Sequence, residues 1–326
     1  MHGDQAEKFP GKIDFASNIN PFPPRDLLEF INSVTWKVRY YPESSYSDLV
    51  ETISDTFDWR ENEVVFGNGS IELIRSFFTM QRGRVVVPYP TFTEYERFAR
   101  GFGLRVVKCK IEDLVDAVRR TKPNAVVVCN PNNPTGEFFD WVEELDVLAE
   151  RMKFNLLVDE AFIDFTRKKT SLENSFVVRS LTKILGVPGL RFGYGRFPKE
   201  YAEKFHNVRD PWNVNILAKE VAKRYLPRLN SISRRVYKKI KGEREFLKKG
   251  LKKLGFSCRG NVNFLLVSGK FSGRDVYKFL FERGILIRTC EDFEGLNERF
   301  FRIAVKDRKS NRVLLKNLEV LVEENS

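Results

Sequence analysis

The chain is 326 residues long, enough for one large core and a smaller appended unit, and its 56 Lys plus Arg against 44 Asp plus Glu leave a net charge of +12. That charge attracts anions such as phosphorylated metabolites without choosing among them. Four scattered cysteines (Cys109, Cys129, Cys258, Cys290) and two histidines (His2, His206) argue against a zinc site or a disulfide framework, and no apolar run is long enough to span a bilayer. A soluble, cytoplasmic protein without a membrane partner is the expectation.

In chain order, the first 35 or so residues hold "NINPFPP", with three prolines in seven positions, and predict an irregular arm. From about Val64 to Phe197, short apolar runs ("EVVF", "RVVVPYP", "LRVVKC", "AVVVCNPNNP", "NLLVDEAF", "SFVVRSLTK", "RFGYGRF") alternate with helical stretches. Strands apolar on both faces and separated by helices predict a mostly parallel sheet covered on both sides, an α/β domain. Helices follow from about Lys199 to Leu254, then "VNFLLVSG", a helix around Val276 to Arg283, "GILIRTC", "RFFRIAV" and a closing helix from Ser310. That pattern predicts a second, smaller α+β unit. The division is an arm with part of the small domain over 1–38, a large domain over 39–205 and a small domain over 206–326.

Arg234 to Lys253 carries ten basic residues and two glutamates, with Ile232, Val236, Ile240, Leu247, Leu251 and Leu254 at helical spacing. This reads as an amphipathic helix with a solvated basic face. Without interleaved aromatics or a reader motif, no nucleic-acid partner is expected.

Ligands of a parallel α/β sheet bind beyond the carboxyl ends of its strands. There "GNGSIELI" puts two glycines and Ser70 between a strand and a helix, a turn whose free amides suit a phosphate. Ser180 and Arg191 could add a hydroxyl and a guanidinium fork. Asp159 ends the apolar run "NLLVD", where a carboxylate needs a donor or a cation. Lys183 follows an apolar strand, so it either snorkels to water or is an amine of lowered pKa. With Tyr95 available as a flat surface, these parts together meet the needs of pyridoxal 5′-phosphate.

In "NPNNPTG" (Asn130 to Gly136), "VDEAF" (Val158 to Phe162) and "SLTK" followed by "GLRFGYG", the chain resembles the fold type I pyridoxal-phosphate enzymes related to aspartate aminotransferase. The resemblance implies a large domain with a mostly parallel seven-stranded sheet between helices and a smaller α+β domain. It implies that Lys183 is the Schiff-base lysine, that Asp159 binds the ring nitrogen and that Asn133 bonds the phenolic oxygen beside Phe162. It further implies that Tyr95 stacks on the ring, and that Ser70, the Ile71 amide, Ser180 and Arg191 hold the phosphate. "RYYPESSYSDL" nominates Tyr41 as reaching the phosphate of a second subunit, hence a homodimer with shared sites. Arg302 of "FFRIAV" matches the arginine that clamps the substrate's anion.

Two branches compete. "NINP" and "GNGS" are similar to histidinol-phosphate aminotransferases and to threonine-phosphate decarboxylases of cobalamin biosynthesis. "DFASNINPFPP", "RSLTKILGVPGLRFGY", Phe162 in place of a tyrosine, and "ILIRTCEDFEGLNERFFRIAV" resemble the decarboxylases. The expected substrate is then a small phosphorylated amino acid, with His2, Asn20, Arg288 and Arg302 as its ligands. A non-catalytic regulatory role for the same fold is the third alternative.

Overall fold

The structure, a computed structural model, describes residues 5–325. It begins with a two-residue strand, β1 (Ile13–Asp14), and after the proline cluster comes a helix, Leu27–Val34. The expectation of an irregular arm is corrected here. The cluster's prolines end at Pro24, which leaves the residues beyond free to wind, and Leu27 and Val34 bury on the helix. β1 pairs in parallel with Ile285–Leu286, far along the chain.

Seven strands build the central layer: β2 (Val64–Asn68), β3 (Arg84–Tyr89), β4 (Arg105–Lys110), β5 (Ala125–Cys129), β6 (Asn155–Asp159), β7 (Phe176–Ser180) and β8 (Phe192–Arg196). Their order is β2-β8-β7-β6-β5-β3-β4. β8 runs antiparallel to both neighbours, while β7, β6, β5, β3 and β4 pair in parallel, as the repeating strand and helix pattern predicts. Side chains alternate along each strand. Val127 and Val178 pack against the helices Ser70–Thr79 and Glu94–Gly101, whereas Val126, Val128 and Val158 pack against Leu114–Thr121 and Val142–Met152. A strand buried on both faces tolerates no polar alternation, hence "AVVVC".

The second sheet comprises β9 (Ser257–Arg259), β10 (Phe264–Ser268), β12 (Arg288–Thr289) and β13 (Phe300–Ala304), in the antiparallel order β12-β13-β10-β9; β11 (Ile285–Leu286) is the strand that pairs with β1. The helix Leu229–Lys253 buries Ile232, Val236, Ile240, Leu247 and Leu251 and turns most of its basic residues outward, as its periodicity predicts. The closing helix Arg308–Glu323 lies so near it that a Cβ on Gly250 would collide with Leu315. One apolar cluster joins Phe66 and Leu181 beside the central layer to Ile240 of the long helix and Phe264 and Ile303 of the second sheet. Arg302 of β13 reaches Asn133, just beyond the carboxyl end of β5, so the second sheet meets the central layer at its strand ends. Among the described residues, no helix is long and apolar enough to cross a membrane.

Candidate active site

The carboxyl ends of β6, β7 and β2 supply the chemistry. β6 ends on Asp159, which is 4 % exposed. Its Oδ2 accepts from the Tyr95 hydroxyl at 2.6 Å, and its Oδ1 accepts from the Ala161 amide at 3.0 Å. Burial pushes its carboxyl above the ordinary range, against these two donors and the charge of Lys183. The next residue, Glu160, pairs instead with Arg179 at 2.7 Å. Lys183 stands on the short helix Leu181–Leu185, directly after β7, with Nζ 5.2 Å from the centre of the Phe162 ring. Burial lowers its pKa; Arg302 and Arg191 add to that, and Asp159 opposes them. The shift is toward the neutral amine, the nucleophilic form.

At the end of β2, Gly69 adopts φ +80°, a conformation that side chains resist, and the helix Ser70–Thr79 begins beside it. A Cβ on Gly69 would collide with the Arg191 guanidinium, and one on Gly193 would collide with the Ser70 amide. The first amides of an α-helix, including those of Ser70 and Ile71, have no partner within the helix, so a cation and a positive helix end converge on one point. Ser180 is buried beneath, with its Oγ 3.2 Å from Thr182 Oγ1.

Above this floor lies a cavity of about 520 Å³, lined by Lys183, Asn133 and Phe162 from the central layer and by Arg288, Arg302 and Phe293 from the second sheet. Arg302 donates through Nη1 to Asn133 Oδ1 and through Nη2 to the Ala16 carbonyl at 3.0 Å, and its buried Nε has no partner. Burial pushes Arg302 down to about 10.

Two residues expected at the ligand make contacts within the protein. Tyr95 is fully buried, and its hydroxyl is committed to Asp159, so it braces the acid; Phe92 of the same "PTFTEY" motif lines the cavity. The two positions are three apart at the start of one helix, and only the tertiary structure shows which faces inward. Asn20 is likewise consumed: Nδ2 donates to the Ile184 carbonyl at 2.6 Å and Oδ1 accepts from the Phe22 amide at 2.8 Å. It pins the arm to the turn that carries Lys183. Asn18, two residues earlier in "NINP", lines the cavity instead, with a buried Oδ1 that has no partner. Asn18, Phe92 and Phe293 carry no local signal in the sequence: Asn18 and Asn20, two apart, share a face under strand alternation, and Phe92 precedes the helix on which Tyr95 lies.

Tyr41 lies far out on the surface, 78 % exposed, with its ring 4.5 Å from that of Trp212. His2 lies outside the described residues.

Pyridoxal phosphate fits this donor set on structural grounds. A buried acid with two donors can pair with a protonated ring nitrogen. An amine of lowered pKa, Lys183, lies within the field of that acid, and the Arg191 guanidinium approaches Gly69 so closely that only a glycine fits there, beside the start of a helix. These features define a cofactor-dependent enzyme of the fold type I class.

The comparisons narrow the class. Residues 10–318 match the aminotransferase class I and II family, and the chain belongs to it; pyridoxal phosphate is that family's cofactor. A protein of Caldanaerobacter subterraneus subsp. tengcongensis, provisionally named threonine-phosphate decarboxylase, is 33% identical over 94% of this chain and 90% of its own length. The crystal structure of histidinol-phosphate aminotransferase from Clostridium acetobutylicum superposes with a TM-score of 0.87 at 30% identity, covering 96% of this chain and 99% of that one. L-threonine-O-3-phosphate decarboxylase from Porphyromonas gingivalis shares the fold at TM-score 0.86 and 23% identity, covering 95% and 99%.

Proposed function

We propose that the chain decarboxylates L-threonine O-3-phosphate to (R)-1-amino-2-propanol phosphate, a step of cobalamin biosynthesis. The observation that carries the reading is the pair Arg288 and Arg302, direct partners across β12 and β13, both facing the cavity that holds Lys183. Two guanidinium groups on one face suit a phosphate. Phe162, where aminotransferases usually carry a tyrosine, and the 33% identity to the Caldanaerobacter protein support the same branch.

Pyridoxal phosphate, when bound, supplies an electron sink conjugated to the α-carbon of the substrate. Asp159 would keep a proton on the ring nitrogen, Asn133 would bond the phenolic oxygen, and Ser70, Ile71, Ser180 and Arg191 would hold the phosphate. Arg288 and Arg302 bind the substrate phosphate, with Asn18 as a further polar contact. With both arginines engaged there, the α-carboxylate would be left without a cationic clamp and would be the group lost, as carbon dioxide, while Lys183 would give a proton to the α-carbon in its place. Were Arg302 to hold the carboxylate instead, Lys183 would serve as the base that takes the α-proton, as in an aminotransferase.

Tyr41 stands on an exposed apolar face with Trp36, Val38, Tyr40 and Trp212. Such a face fits a second copy of the chain, with Tyr41 reaching the cofactor phosphate across a homodimer. Light scattering on the purified protein tests this; a monomer at micromolar concentration would remove Tyr41 from the site.

The activity is tested by incubating the cofactor-loaded protein with L-threonine O-3-phosphate and measuring carbon dioxide and aminopropanol phosphate. A parallel incubation holds histidinol phosphate and 2-oxoglutarate. Glutamate formed without carbon dioxide would overturn the proposal in favour of the aminotransferase.

A further inference from the structure

The two cavity arginines are not electrically equivalent. Both are more than nine-tenths buried, yet among the described residues only Arg288 has a carboxylate within ion-pair distance: Nη2 donates to Asp292 Oδ2 at 2.6 Å, and Nη1 donates to the Thr289 carbonyl. Arg302 is held by the neutral acceptors Asn133 and Ala16, with Nε left over. Burial and then the charge of Arg288 make the Arg302 cation harder to keep, and Asp292 acts in the opposite direction. Asp292 itself is 38% exposed, at the outer side of the pair.

We propose that Asp292 is a specificity-determining residue: by neutralising Arg288, it lowers the cavity's preference for a dianionic over a monoanionic ligand group and leaves Arg302 as the first anchor. The inference rests on reading Arg288 and Arg302 as the substrate's anion site. A monoanion is satisfied by Arg302 alone. A dianion also needs the charge of Arg288 and must share it with Asp292, so competition and Coulomb energy act in the same direction. Asp292 is partly exposed, and removing its negative charge, taken at roughly 7 Å from a group bound on Arg288 with an effective dielectric of about 40, tightens binding about five- to tenfold per unit of ligand charge. The dianion therefore gains about five- to tenfold over the monoanion. A phosphate ester is mostly dianionic above pH 6 or so, so the effect of Asp292 falls chiefly on a phosphorylated ligand.

The test compares cofactor-loaded wild type with Asp292→Asn, which retains an acceptor for Arg288 at nearly the same shape. Inorganic phosphate at pH 8 and acetate are titrated at constant ionic strength, and binding is read from the cofactor's absorbance. The ratio of acetate to phosphate dissociation constants should rise about five- to tenfold in the variant. An unchanged ratio, or weaker phosphate binding, would overturn the proposal and leave Asp292 as a scaffold for Arg288. Asp292→Ser repeats the measurement should the first variant melt early. In an Arg288→Gln background the substitution at 292 should no longer move the ratio; an effect that persists also refutes the proposal. Phosphate binding untouched by Arg302→Gln would instead refute the anion-site reading beneath it.

Discussion

Tyr95→Phe removes one oxygen and leaves the ring in place. In the structure that oxygen is one of two donors to Asp159, at 2.6 Å, inside a fully buried contact; the other is the Ala161 amide at 3.0 Å. A hydrogen bond to a charged group contributes about 1.5–3 kcal/mol. The ionised carboxylate loses that support, so it should hold a protonated ring nitrogen less well, and cofactor affinity should fall about 10- to 150-fold. The apoprotein should melt within a few degrees of wild type, since the ring still packs against Phe92 at 5.5 Å. The assay is titration of the apoprotein with pyridoxal phosphate, followed by absorbance, with a thermal melt alongside. A dissociation constant within about threefold of wild type would refute the reasoning, because the energy assigned to the bond predicts at least tenfold. If Tyr95 were the stacking face, the substitution would be nearly silent; Phe92→Ala should weaken binding instead.

Because the Lys183 pKa is lowered by burial, the rate at which apoprotein captures pyridoxal phosphate should rise with pH and level off below the range of an ordinary lysine; stopped-flow absorbance from pH 6 to 10.5 checks this, and a rate still climbing at the top contradicts it. Burial raises the carboxyl of Asp164 to about 6, with Arg179 opposing and Glu160 adding. A group raised in the folded state gives its full stabilisation below its unfolded value and loses it as pH rises through the folded one. Asp164→Asn should therefore melt later than wild type at pH 8 by an amount equivalent to about 3 kcal/mol, with the gap closing toward pH 4.5; a gap that is constant in pH rules out this account. Asn20→Ala should lower the melting temperature through loss of two buried hydrogen bonds, about 1–2 kcal/mol together, whereas Asn18→Ala should raise the substrate KM with little change in stability. The reverse pattern in melting curves and kinetics would exchange their roles.

Elements defined by local periodicity were legible in the chain. The alternating apolar runs of β2 to β8 announce a two-faced parallel layer, and the heptad-like spacing of Ile232 to Leu251 announces the long helix with its basic outer side. Asp159, Lys183 and the Gly69 turn could also be picked out, because a charged residue or glycine closing an apolar strand is a local anomaly. The arm was misjudged where local rules stop. β1 is a strand only because Ile285–Leu286, some 270 residues away, offers a hydrogen-bonding edge. Which of Phe92 and Tyr95 meets the ligand, and which of Asn18 and Asn20, depends on the rotation of a helix start and on the path of an arm across the Lys183 turn. Alternation and burial depend on neighbours in sequence, so the sequence by itself determined the layers and the reactive residues. The pairing of Arg288 with Arg302, the counter-ion on only one of them and the donors behind Asp159 needed the tertiary structure, because each joins groups that meet only after distant strands are set in register.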